Sequence, residues 1–219
     1  MTDRCRALGH HQLLFLRSSL SQDLQRYLNK SPMNRAAGDS LHTRLSSFLT
    51  PDLMSVFFYR LAHWLYANDH FVLAVLMTRL NFLVHKVSIG PQSCIGPGFR
   101  LPHPACVVFG GTAGKGLTLY ALSICGTLEG SSEGPLESCP TLGDGVTLAA
   151  GAVVLGPVRI GDETKVAFHT RLDRDAPAGV LVVSRKRRLF NRIVASSGAD
   201  SEGDNSRGLE RAGVSKLPN

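Results

Sequence analysis

The chain has 219 residues, 43% of them hydrophobic, enough for a sizeable core, and this excludes a disordered or fibrous protein. Its longest apolar stretch, 71–84, is broken by Arg79 and too short to span a bilayer as a helix. The first residues carry arginines on both sides of their apolar positions and no small-residue cleavage site, unlike a secretory signal. A cytoplasmic protein without a membrane span is predicted. The net charge of +7 is spread along the chain except at Arg185, Lys186, Arg187 and Arg188, and without interleaved aromatic residues it does not point to nucleic acid. Five cysteines, an odd number without CxxC spacing, predict reduced thiols and no metal site.

Residues 1–85 read as an α-helical region. Apolar residues recur at helical spacing through Leu13, Leu14, Leu16 and Leu20, and again through Phe57, Phe58, Leu61 and Leu65, with Pro51 and Asp52 as a start for the second group. The polar segment 29–40, holding Pro and Gly, predicts a break between them.

After Lys86 the rhythm changes. Small or aliphatic residues fall every six positions at Ile89, Ile95, Leu101, Val107, Ala113, Leu119 and Cys125, and again at Leu142, Leu148, Val154, Ile160, Val166 and Leu172. A six-residue period matches neither a helix nor simple strand alternation, but it is a repeat of parallel β-helices, in which each unit sends one aliphatic side chain into a triangular prism. The segment 126–140 breaks the period and is read as a protruding loop, a frequent carrier of function on rigid scaffolds. Residues 86–190 are assigned to the β-helix and 191–219 to a disordered tail, almost without apolar residues beyond Ser196.

The stretches FFYRLAHWLY (57–66), VSIGPQSCIGPGFRLPHP (87–104), PTLGDGVTLAAGAVVLGPVRIGD (140–162) and DAPAGVLVV (175–183) resemble bacterial serine O-acetyltransferases across roughly residues 50 to 190. The resemblance implies an α+β fold, an N-terminal α-helical region followed by a left-handed parallel β-helix of hexapeptide repeats. It further implies assembly as a trimer or dimer of trimers, with acetyl-CoA along the prism edge and no metal. The histidine of the family's DHG or DHA motif is the general base, and the matching residue is His103. An imidazole suits that task because its ordinary pKa lies near working pH. His169, in the last coil, is a second histidine to consider.

The departures shape the expected function. The family's acid before the base is Pro102 here, the acid of its VDIHP is Ser88, and the Arg-His ahead of the loop-ending proline reads Ser138 and Cys139. Arg100 is the nearest cation to His103 in sequence. On the cofactor side Ala149, Ala150, Gly151 and Ala152 match the family's GAGA, Gly126 and Thr127 its loop glycines, and Arg185 and Lys186 stand where charge would meet the 3′-phosphate of CoA.

The expected activity is therefore a CoA-dependent O-acetyltransferase with His103 as base. Ser88, Arg100, Ser138 and Cys139 line the acceptor space; Gly126, Thr127, Ala150, Gly151, Arg185 and Lys186 hold acetyl-CoA. The uncharged acceptor positions predict a small acceptor other than free serine, such as a sugar or hydroxylated metabolite. The alternatives are an ordinary serine O-acetyltransferase of cysteine biosynthesis or a catalytically weak structural or regulatory homologue. The terminal Lys-Leu-Pro-Asn lacks the isoleucine by which the family's sulfhydrylase partner is recognised, so no such complex is expected.

Overall fold

The computed structural model describes residues 13–30, 50–130, 132 and 135–184. Arg185, Lys186 and the predicted tail lie outside the described residues. Three helices come first: α1 (Leu13–Lys30), α2 (Pro51–Ala67) and α3 (Phe71–His85). Pro51, whose missing N–H costs nothing in a first turn, opens α2, and the charge of Asp52 complements the helix dipole there. Lys86 in left-handed conformation (φ 59°) closes α3, its N–H returning to the Phe82 carbonyl.

The chain then winds into a prism of three parallel sheets. The first face holds β1 (Val87–Ile89), β3 (Val107–Phe109), β6 (Ile124–Gly126), β9 (Val153–Leu155) and β12 (Arg171–Leu172). The second holds β2 (Cys94–Ile95), β4 (Thr112–Ala113), β7 (Thr141–Leu142) and β10 (Arg159–Ile160). The third holds β5 (Thr118–Leu119), β8 (Thr147–Leu148), β11 (Lys165–Val166) and β13 (Leu181–Val182), and Arg100 extends it by bridging to Thr118. The α+β architecture read from the sequence, helices followed by a left-handed parallel β-helix, is what forms. Every in-phase position from Ile89 to Leu172 is buried, because a strand of such short coils can point only one side chain inward.

The helices dock on the open end of the first coil through polar anchors. Arg60 grips Asp23 of α1 in a buried bidentate pair, at 2.9 Å through Nε and 3.2 Å through Nη2. The same guanidinium donates to the carbonyls of Ile95 and Gly96 (2.6 and 2.7 Å), and Asp23 accepts the N–H of Phe99 at 2.7 Å. The Tyr59 hydroxyl donates to the Ser93 carbonyl (2.9 Å), and the His63 ring nitrogen Nδ1 stands 2.8 Å from the Pro91 carbonyl. On α1 the fully buried positions are Ser19 and Asp23, while Leu13 and Leu14 are exposed, so the leucine stripe is not the docking face. On α2 the expected Phe57, Phe58, Leu61 and Leu65 are half-buried, and Leu53, Val56, Tyr59, Arg60, Ala62 and His63 face inward.

Helix α3 is turned inside out. Its buried residues are Ala74, Thr78, Asn81 and His85, whereas Phe71, Val72, Leu76, Leu83 and Val84 are exposed. Among the described residues no helix is long and apolar enough to cross a membrane.

The expectation of reduced thiols throughout is corrected at Cys94, which is disulfide-bonded; Cys106, Cys125 and Cys139 are free. Pairing is a property of folded geometry, and an odd count without CxxC spacing does not reveal it.

His63 supplies a test of the docking. Burial pulls its imidazole down from 6.5 to about 4, only partly offset by the Pro91 carbonyl. The unfolded chain therefore binds the proton more readily, and stability falls as pH is lowered from 6.5 toward 4, by about 3 kcal/mol when complete. Urea midpoints at pH 7 and pH 4.5 measure this, and His63→Gln is expected to flatten the difference; an equally steep loss in the variant would exclude His63 as its source.

Candidate active site

His103 sits at the corner joining the third face to the first. Pro102 and Pro104 flank it, and it adopts φ 55°, a left-handed conformation that costs a side-chain-bearing residue about 1–3 kcal/mol. The turn projects the ring onto the surface, where it is exposed.

Later coils stack on this corner through backbone hydrogen bonds. The N–H of Leu122 donates to Ala105 (2.8 Å), that of Gly151 to Ala121 (3.1 Å) and that of His169 to Ala150 (3.1 Å). His103, Ala150, Gly151 and His169 thus share one edge. Gly151 has φ 69°, and a Cβ there would strike the His169 ring, so His169 lies against the stretch of small residues. At the strand spacing of parallel sheets, three coils separate His169 from His103 by about 14 Å. The two imidazoles do not converge on one reacting atom.

The remaining expected acceptor residues lie elsewhere in the chain's own fold. Ser88 is on β1, its hydroxyl 3.1 Å from that of Ser132, whose carbonyl also accepts from the Gln92 amide at 2.9 Å. The protruding loop therefore folds back over the first face, and a side chain at Gly90 would collide with the Ser132 carbonyl. Gly126 ends β6 and Thr127 begins the loop, while Ser138 and Cys139 close it after a short 3-10 turn at Leu136–Ser138. These residues follow the corner between the first and second faces, opposite along the strand from the His103 edge. Cys139 is buried, and burial, followed by the charge of Glu137, pushes its thiol up, which makes it a poor nucleophile.

One functional candidate escaped the sequence. Asp52, noted there only as a helix start, is half-buried at the first turn of α2, near enough to His103 and Arg100 for their charges to act on its carboxyl. Burial raises this carboxyl above its ordinary range; the charge of His103, its backbone N–H and the charge of Arg100 all act in the opposite direction. Arg100 is half-buried, and its Nε is enclosed without a hydrogen-bond partner. Among the described residues, no group of three or more His, Cys, Asp and Glu side chains is placed to hold a metal ion.

No family model matches the chain. A serine acetyltransferase of Helicobacter pylori is 31% identical over 175 residues, covering 79% of this chain and 97% of that protein. Crystal structures of Neisseria gonorrhoeae serine acetyltransferase superpose with TM-scores of 0.67 and 0.66. The first is 24% identical and shares 78% of this chain and 63% of its own; the second, in complex with serine, is 25% identical and shares 78% and 67%. A serine acetyltransferase in complex with CoA, at 18% identity and TM-score 0.66 over 77% of this chain and 67% of that one, repeats the fold.

These findings overturn the expectation of an acceptor other than serine. That inference took uncharged residues at Ser88, Pro102, Ser138 and Cys139 to mean an uncharged pocket. Arg100, three residues before His103 and half-buried, leaves a cation at that corner, so neutral residues at the motif positions do not by themselves make the pocket uncharged. With a relative matched along nearly its whole length at 31% identity, the chain belongs to the serine acetyltransferase family of acyltransferases.

Proposed function

We propose that the protein transfers the acetyl group of acetyl-CoA to the hydroxyl of L-serine, with His103 as general base. The observation that carries this reading is the edge on which an exposed imidazole heads a column of small residues, within a chain that covers 97% of the length of a serine acetyltransferase. Ala149 and Ala150 on this edge leave room for a pantetheine arm to lie close to the backbone beside the His169 ring, with the thioester end toward His103. The imidazole takes the serine hydroxyl proton as the oxygen attacks the thioester carbonyl. The carbon–sulfur bond then breaks, and the CoA thiolate recovers a proton, leaving O-acetylserine. The thioester is already activated, so no acyl-enzyme is required. Arg100, half-buried and three residues before His103, is the partner for the serine carboxylate.

The acetyl-CoA edge and the loop residues Ser138 and Cys139 lie at different corners of the prism. In this reading a neighbouring copy completes the site, in a trimer or dimer of trimers, and the apolar exterior of α3 is the kind of surface that such assembly covers. The reaction is tested by following CoA thiol release with acetyl-CoA and varied L-serine. Saturable, serine-dependent release is expected; a rate independent of serine would overturn the reading.

A further inference from the structure

We propose that the corner of the coil holding β11 and β12 selects the acyl donor: Phe168, Lys165 and Arg171 hold the nucleotide end of acetyl-CoA, its adenine and its phosphates. This rests on reading the His103 edge as the place of acetyl-CoA. The register of the coils fixes where each residue stands. Along the third face the paired positions run Arg100, Thr118, Thr147 and Lys165. Along the first face they run Ile124, Val153 and Arg171. Val166 and Leu172 are buried, so strand alternation turns the preceding Lys165 and Arg171 outward, and both are exposed. These columns therefore carry Arg100 at the level of His103, then neutral side chains, then Lys165 and Arg171 on either side of one corner.

The corner itself changes at the same level. One coil earlier it is Ala149, Ala150 and Gly151; here it is Phe168 and His169. The His169 ring covers Gly151, and Phe168 beside it is 70% exposed. An aromatic ring left in water between two cations buries little of its own surface, but it matches a purine that carries phosphates. The base stacks on the ring and the cations meet the phosphate oxygens. The exposed pair of Arg171 with Asp173, 3.8 Å long, is too weak to withhold the guanidinium. The corner lies about 14 Å from His103 at the coil spacing. An extended pantetheine arm is of comparable length, and its neutral amides need no charge along the way. The sequence of charges on the edge thus repeats that of the bound pair: an acceptor carboxylate at Arg100, an uncharged arm, and phosphates at Lys165 and Arg171.

Two donors separate this site from the rest of the edge: acetyl-CoA, and acetyl-pantetheine, which lacks the nucleotide. Phe168→Ala is expected to raise the KM for acetyl-CoA by about 10-fold with kcat retained, and to leave the KM for acetyl-pantetheine as in wild type. Phe168→Tyr keeps the ring and is expected to stay near wild type. Lys165→Gln with Arg171→Gln is expected to give a rise of about 10-fold at low salt that shrinks at high salt. All three side chains are exposed, so unchanged melting temperatures accompany these effects. An unaltered KM for acetyl-CoA in Phe168→Ala, or an equal rise for both donors, overturns the proposal. Should the wild-type protein release no CoA with L-serine, the acceptor reading fails. Calorimetric binding of CoA and of adenosine 3′,5′-bisphosphate then judges the site. About 10-fold weaker binding of both in Phe168→Ala supports it, whereas equal affinity, or a wild type that binds neither, overturns it.

Discussion

Replacing His103 by alanine is expected to lower turnover by about 100-fold or more while leaving the KM for acetyl-CoA nearly unchanged, the pattern for loss of a general base rather than of a binding group. The exposed ring stands at the head of the small-residue edge, so its removal opens no core cavity and disturbs no packing. The remaining histidine of that edge, His169, lies about 14 Å further along at the coil spacing and does not substitute for it. Steady-state CoA release with saturating L-serine gives kcat, and a thermal melt confirms the fold. An alanine variant that turns over within a few-fold of wild type would place the base elsewhere.

The largest stability effect is expected at Asp23. Its carboxylate and the Arg60 guanidinium are both buried, and between them they hold α1, α2 and the first coil together. Asp23→Ala leaves Arg60 charged and enclosed without its anion, a loss of about 3–5 kcal/mol. For a chain of this size that lowers the melting temperature by about 6–20 °C. Replacing both partners with apolar residues of similar volume, as in Asp23→Leu with Arg60→Met, is expected to recover much of the loss, because the cost lies in the unpaired charge. Urea unfolding of the single and double variants decides the matter. A single variant within about 1 kcal/mol of wild type would show that water reaches Arg60.

The prism was legible in the sequence because its rule is one of backbone direction. A residue every six positions points inward whatever its neighbours do, and Ile89 through Leu172 are buried accordingly. The helices were legible as helices but not in their docking faces. Hydrophobic periodicity does not register Ser19 and Asp23 as the buried side of α1, since their burial depends on a partner arginine in another helix. His103 could be found from its motif, because local sequence builds its turn. The approach of Asp52 to that turn could not, because it depends on where α2 packs in the folded chain. The mistaken expectation about the acceptor has a related origin: it treats Ser88, Pro102, Ser138 and Cys139 as one neutral pocket, whereas within the chain's own fold Ser88, Ser138 and Cys139 lie away from the His103 corner.

A stack of parallel coils has two ends, and each is a row of strand edges able to template another stack. At the N-terminal end the carbonyls of Pro91, Ser93, Ile95 and Gly96 face the helices, and they are met by His63, Tyr59 and Arg60. Those contacts occupy the acceptors to which the amides of an added coil would bind. The helical region is therefore a chain terminator, which keeps a self-complementary repeat from growing head to tail into a fibre.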